Sequence, residues 1–92
     1  MKRKRFKGEV LSGHKQNAIE VPFDPAEAWK IEASSLWRGR RGFRVNATIN
    51  GFSFESAIVT RQKKFYLLID DDLAVDEGAI VQVALEPLGV NG

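Results

Sequence analysis

Trp37, Arg38, Arg40, Arg41 and Arg44 form the stretch of this chain best equipped for chemistry. A guanidinium binds phosphate through two parallel N–H donors, and an indole ring stacks on an exposed base. The residues are therefore the candidate contacts for nucleic acid or another anion. Lys2, Arg3, Lys4 and Arg5 offer a second basic patch. Short basic runs are usually solvated surface, so the pattern is a footprint that names no ligand. A second cluster is acidic: Asp70, Asp71, Asp72, Asp76 and Glu77. Hard oxygens suit Ca²⁺ or Mg²⁺, but "DDDLAVDEG" lacks the alternating ligands, central glycine and final glutamate of a calcium loop. Asp70 or Asp71 capping a short turn is the simpler expectation. His14 is the only histidine and lies in "SGHKQN", with no carboxylate or nucleophile beside it to orient it as a base. Ser34, Ser35, Ser53 and Ser56 have no nucleophile motif around them, and "WRGRRG" lacks the strand and the Gly-Lys-Ser/Thr ending of a P-loop. The expectation is no catalytic residue, no metal and no cofactor.

Composition narrows the classes further. A chain of 92 residues with 43% hydrophobic and 28% charged residues reads as one globular domain spanning 1–92, with a basic arm at 1–5 and a loose tail at 88–92. The absence of cysteine excludes disulfides, thiolate metal sites and cysteine catalysis. A domain this small buries little of its surface, which makes a homodimer the expected source of extra burial. The basic opening has no apolar segment behind it and no apolar run approaches the ~18 residues of a membrane span, so no membrane is expected and the default location is cytoplasmic. Charge is uneven: residues 1–44 hold eleven Lys/Arg against five Asp/Glu, net +6, and residues 45–92 hold three against seven, net −4. A local basic patch attracts anions even when the total charge is small.

The elements that must position these residues are mostly strands. Phe6, Gly8 and Val10 alternate with charged residues over about 5–11. Ile19, Val21 and Phe23 alternate next, with Pro22 marking the end of the run. Asp24 is placed to cap a helix, Pro25 suits its first position, and Glu27 completes a capping-box spacing, predicting a helix at about 25–33. Beyond the basic connector, Phe43, Val45, Ala47 and Ile49 form one face of a strand. Asn50-Gly51 supplies the two positive-φ residues of a type I′ turn. Ile49 then pairs with Phe52, Ala47 with Phe54 and Val45 with Ser56, which gathers the apolar residues of both arms on one face. "RQKK" is a second turn, "FYLLI" reads as a strand buried on both sides, and "AIVQVALE" is the last strand. About six strands and one short helix predict a mainly β fold, a small barrel whose closure removes exposed edges.

"VPFDPAEAW", "VNATINGFSFESAIV" and "VQVALEP", with Thr48-Ile49-Asn50-Gly51, Phe54 and Ser56 as the most specific part, resemble the bacterial domain-of-unknown-function family 1905 over roughly residues 6–87. The resemblance implies a double-split, swapped-hairpin-like β-barrel, the class that also holds the AbrB and MazE DNA-binding proteins. It implies no enzymatic activity; some members are fused or adjacent to proteins linked to bacteriocin protection. Two segments depart from the family pattern. "TRQKK" stands where a longer glycine-rich segment is usual. The acidic "DDDLAVDEG" stands where a basic helix is usual, and Ala79 follows Gly78 where a Gly-Asp is usual, so an anion site built on that helix does not carry over from the resemblance. Two readings of function follow: a non-enzymatic β-barrel module that binds a ligand or partner, and alternatively a nucleic-acid-binding homodimer using the arginine-rich connector.

Overall fold

A computed structural model describes residues 3–12, 17–36, 41–69 and 75–88. Seven strands and one helix follow in the order β1 (Lys4–Leu11), β2 (Ala18–Val21), α1 (Pro25–Trp29), β3 (Ser34–Ser35), β4 (Arg41–Ile49), β5 (Phe52–Arg61), β6 (Lys64–Leu68) and β7 (Ile80–Pro87). All pairings are antiparallel. The order β4-β5-β6-β2-β1-β7 closes because β7 also pairs with β4, giving a six-stranded barrel to which β3 adds on the outside of β4. The extra strand β3 lies in the segment expected to be connector only.

Period-two patterning sets which side faces in. Val45, Ala47 and Ile49 on β4 and Val81, Val83 and Leu85 on β7 are all buried, and the residues between them are at least partly exposed. Val10, Ile19, Ile58 and Leu67 complete the core from the other four barrel strands. Gly8 leaves space on β1, since a Cβ there would overlap the Ile19 Cγ2 methyl. Two long strands lose a partner part-way: β1 pairs with β2 only at Val10↔Ile19 and Leu11↔Ala18, and β5 pairs with β6 only from Ile58 to Arg61. These two seams are where the closed barrel is least continuous.

The helix is shorter than its apolar pattern suggests. Asp24 caps it as expected, accepting from Ala26 N–H at 2.9 Å. Lys30 then adopts the left-handed conformation, φ 54°, and ends it after Trp29. Trp29 is already seated in the core at that point and packs edge-to-face on Phe23 at 5.4 Å, and Ile31 and Ala33 reach the core from outside the helix. Glu27 does not return the capping-box bond to Asp24 among the described residues. "FYLLI" also differs from expectation: Leu67 is buried but Tyr66 and Leu68 are half-exposed, so β6 has a wet outer face. Strand β1 starts at Lys4 and β7 runs through Pro87, each one residue beyond its expected bound.

The Asn50-Gly51 turn has the expected register, with Ile49↔Phe52, Ala47↔Phe54 and Val45↔Ser56. Burial is uneven across it. Ile49 is 1% exposed, whereas Phe52 is 58% exposed and Phe54 is half-buried, because β5 enters the barrel wall only near Ser56. Gln62 and Lys63 form a second tight turn with positive φ at both residues.

Two stability outcomes follow. Gly51 has φ +89°, and a Cβ at this position would meet no atom within 4 Å, so a side chain there faces conformational strain alone. Gly51→Val is expected to destabilise by about 1–3 kcal/mol in chemical denaturation, because a β-branched residue resists positive φ; an unchanged midpoint contradicts the turn assignment. Ile58→Ala is expected to cost about 2–5 kcal/mol, and Phe54→Ala less than Ile58→Ala despite the larger side chain, because part of the Phe54 ring is already wet.

Candidate functional site: a basic groove beside the Asn-Gly turn

The outer face of the β1–β7–β4 sheet carries a groove of about 430 Å³. Its floor is a consequence of register. Ala84 on β7 lies opposite Arg5 on one side and Thr48 on the other. A methyl side chain between two longer neighbours leaves a trough along β7. Arg3, Arg5 and Lys7 form one wall, and Thr48, Asn50 and Gly51 the other. Arg5 and Lys7 alternate with the inward residues Phe6 and Gly8, so the barrel's own period sends these cations to the outside.

Hydrogen bonds hold the second wall. Asn50 donates its backbone N–H to the Gln82 carbonyl at 3.1 Å, and its side-chain Oδ1 accepts from Gln82 N–H at 3.1 Å. This reciprocal clip extends the β4–β7 ladder one step past Ile49↔Val83 and ties the turn to β7. Beside it, the Thr48 and Ser53 hydroxyls lie 2.9 Å apart. Arg3 bridges the walls: Nη2 donates to Thr48 Oγ1 at 3.3 Å and Nε lies 3.8 Å from Glu86 Oε1. Both partners of that ion pair are substantially exposed, so it orients Arg3 more than it stabilises the fold. Arg5 and Lys7 have no carboxylate within ion-pair distance among the described residues.

The residues singled out in the sequence are distributed differently. Trp37, Arg38, Arg40, His14 and Asp70–Asp72 lie outside the described residues. Arg41 and Arg44 are exposed on β4. The Arg41 guanidinium is engaged, donating to the Ala33 carbonyl at 2.8 Å. Asp76 and Glu77 are exposed, and no group of three or more His, Cys, Asp or Glu able to hold a metal occurs among the described residues. Arg3 and Arg5, grouped in the sequence with an N-terminal arm, instead stand on or beside β1 with Lys7. The signal was the Arg-x-Arg-x-Lys spacing at positions 3, 5 and 7. The contribution of Ala84 had no such signal, because a small residue becomes a groove only between particular neighbours.

A family model described as "Domain of unknown function (DUF1905)" matches residues 6–85. The chain belongs to the DUF1905 family. The matched span runs from Phe6 on β1 to Leu85 on β7, so it takes in most of both strands and the groove residues Lys7, Thr48, Asn50 and Ala84, while Arg3 and Arg5 precede it. Comparison with curated proteins yields no match. No helix among the described residues is long and apolar enough to cross a membrane.

The clip in this DUF1905 domain can be separated from the turn. Asn50→Gly keeps positive φ but removes the acceptor for Gln82 N–H, and is expected to cost about 0.5–1.5 kcal/mol. Asn50→Asp keeps an acceptor and tolerates φ 50°, and is expected to stay within about 0.5 kcal/mol of the parent. Denaturation midpoints of the two variants check this; equal losses contradict a role for Oδ1.

Proposed function

We propose that this DUF1905 domain is a non-enzymatic binding module whose β1–β7–β4 groove takes the anionic part of a ligand. The observation that carries the reading is the pair Arg5 and Lys7, two cations facing one groove without carboxylate partners among the described residues. The rest of the lining fits binding better than turnover. Arginine, lysine, threonine, asparagine and glutamine side chains donate and accept hydrogen bonds, but none serves readily as a proton-transfer group near neutral pH. The clipped Asn50 turn supplies a wall that needs no ordering when a ligand arrives, which lowers the entropic cost of binding.

A second reading is nucleic acid. Alternate residues on a strand repeat about every 6.6 Å, so Arg3, Arg5 and Lys7 present a row of cations along the groove. A positively charged groove that tracks a backbone is how single strands are held without sequence preference. The arginine-rich connector would extend this reading through Arg41 and Arg44, with Trp37, Arg38 and Arg40 as its further candidates.

The test titrates a labelled single-stranded oligonucleotide and, separately, pyrophosphate across a salt series. The parent is expected to bind one or both weakly and with marked salt sensitivity. Arg5→Ala with Lys7→Ala should weaken binding and flatten the oligonucleotide salt slope by about 1–2 units, roughly one for each phosphate no longer neutralised. Pyrophosphate binding without oligonucleotide binding favours a small ligand. If the double substitution changes neither affinity nor slope, the groove is not the site, and Arg41 and Arg44 become the next pair to replace.

A further inference from the structure

We propose that two copies of this chain associate by pairing the free edge of β5 with itself, antiparallel about a two-fold axis through Phe54. The edge arises from the seam between β5 and β6. Strand β5 pairs with β4 from Phe52 to Val59, but with β6 only from Ile58 to Arg61. Residues 52–55 therefore lack a strand neighbour on one side among the described residues, while at Ser56 the side-chain hydroxyl donates to the Leu68 carbonyl of β6. The two-residue turn decides which main-chain groups point there. Ile49↔Phe52 closes the turn as a hydrogen-bonded pair, so Phe52, Phe54 and Ser56 direct their N–H and C=O groups at β4. Ser53 and Glu55 direct theirs the other way, and both residues are exposed. An edge of this kind is a template for another strand.

The second seam shows what a protected edge looks like in the same molecule. Strand β1 is likewise unpaired with β2 before Val10. That edge carries Lys4, Arg5 and Lys7, and charged residues of this kind resist pairing. On its inner side the aromatic chain Phe6–Phe23–Trp29 fills the gap, with centroids 6.2 and 5.4 Å apart. "FSFESA" on β5 has no lysine, no proline and one charge, Glu55. It also carries Phe52, 58% exposed and stacked on Phe54 at 6.3 Å.

Charge and hydrogen bonding select the second copy and its register. A two-fold axis through Phe54 places Ser53 opposite the partner's Glu55 and Glu55 opposite the partner's Ser53. Both are then hydrogen-bonded pairs, giving four main-chain bonds. Phe54 faces the partner's Phe54 in the closer, non-hydrogen-bonded spacing, and the contact is confined to residues 53–55 because Ser56 is already bonded to Leu68 of β6. An axis through Glu55 would set two carboxylates directly opposite. An axis through Ser53 would spend the outer pairs on Gly51, which is bent into the turn at φ +89°. An isologous contact of this form closes at two chains and leaves no edge to propagate.

Sedimentation and amide exchange on the parent chain, each over a concentration series, test the proposal. The expected result is a monomer–dimer equilibrium, with Ser53 and Glu55 amides exchanging more slowly as concentration rises. Glu55→Pro removes one edge donor that β4 does not use, and proline is tolerated on an edge strand. That variant should unfold cooperatively yet sediment as a monomer at concentrations where the parent dimerises. A parent that stays monomeric to millimolar concentration overturns the proposal. So does a parent dimer in which the Ser53 and Glu55 amides gain no protection, since the contact would then lie elsewhere. A folded Glu55→Pro variant that dimerises like the parent overturns it as well.

Discussion

Strand β7 is hydrogen-bonded on both edges, and the barrel exists because of it. Its pairing with β1 over Lys4–Glu9 and with β4 over Val45–Ile49 joins the first strand of the chain to its central hairpin. Each residue shared by both ladders is thereby given two lateral neighbours. Val83 lies between Phe6 and Ile49, and the apolar core is continuous across the closure. Ala84, one residue later, lies between Arg5 and Thr48 on the outside, and there the same geometry makes a trough. Core and groove are two faces of one ladder, so a one-residue slip of β7 would lose both.

Closure leaves part of β1 and part of β5 without a ladder on one side among the described residues. The ends of the β1–β2 and β5–β6 ladders leave two seams. Aromatic packing and basic residues fill and fringe one, while the other leaves Ser53 and Glu55 main-chain groups and the Phe52 ring exposed. A small cysteine-free domain has few ways to add stability beyond its core, and edge pairing is one that needs no further chain length. The groove and this edge share the Asn50-Gly51 hairpin. The turn forms one wall of the groove, and the arm that leaves it is β5. Its structural role and a place in the candidate site are therefore compatible.

Much of the fold was legible in the chain because strand signals are local. Alternation marked β4, β5 and β7, Asn50-Gly51 set the hairpin register, and Asp24-Pro25 marked the start of α1. The helix end was less legible, since Ile31 continues the apolar pattern. Lys30 turns left-handed where Trp29 reaches the core. The wet outer face of β6 was hidden for a related reason: an unbroken apolar run does not say which of its two faces will be covered. The candidate site was the least legible part. Composition drew attention to Arg38, Arg40, Arg41 and Arg44, because arginines adjacent in sequence are conspicuous. Arg5, Lys7, Thr48, Asn50 and Ala84 come from three separate strands and a turn, and they meet only across two ladders.

By itself, then, the sequence determined the class of fold, the hairpin and the inward or outward assignment of most strand residues. These follow from steric limits on φ and from a side-chain period of two, both of which act between near neighbours. Tertiary structure alone decided that β1 and β4 would flank β7, that Arg5 and Thr48 would stand on either side of Ala84, and that the β5 edge would be left open. Those outcomes depend on which distant strands share hydrogen bonds and where each ladder stops. Such choices are made by the closure of the whole barrel, and no local segment carries them.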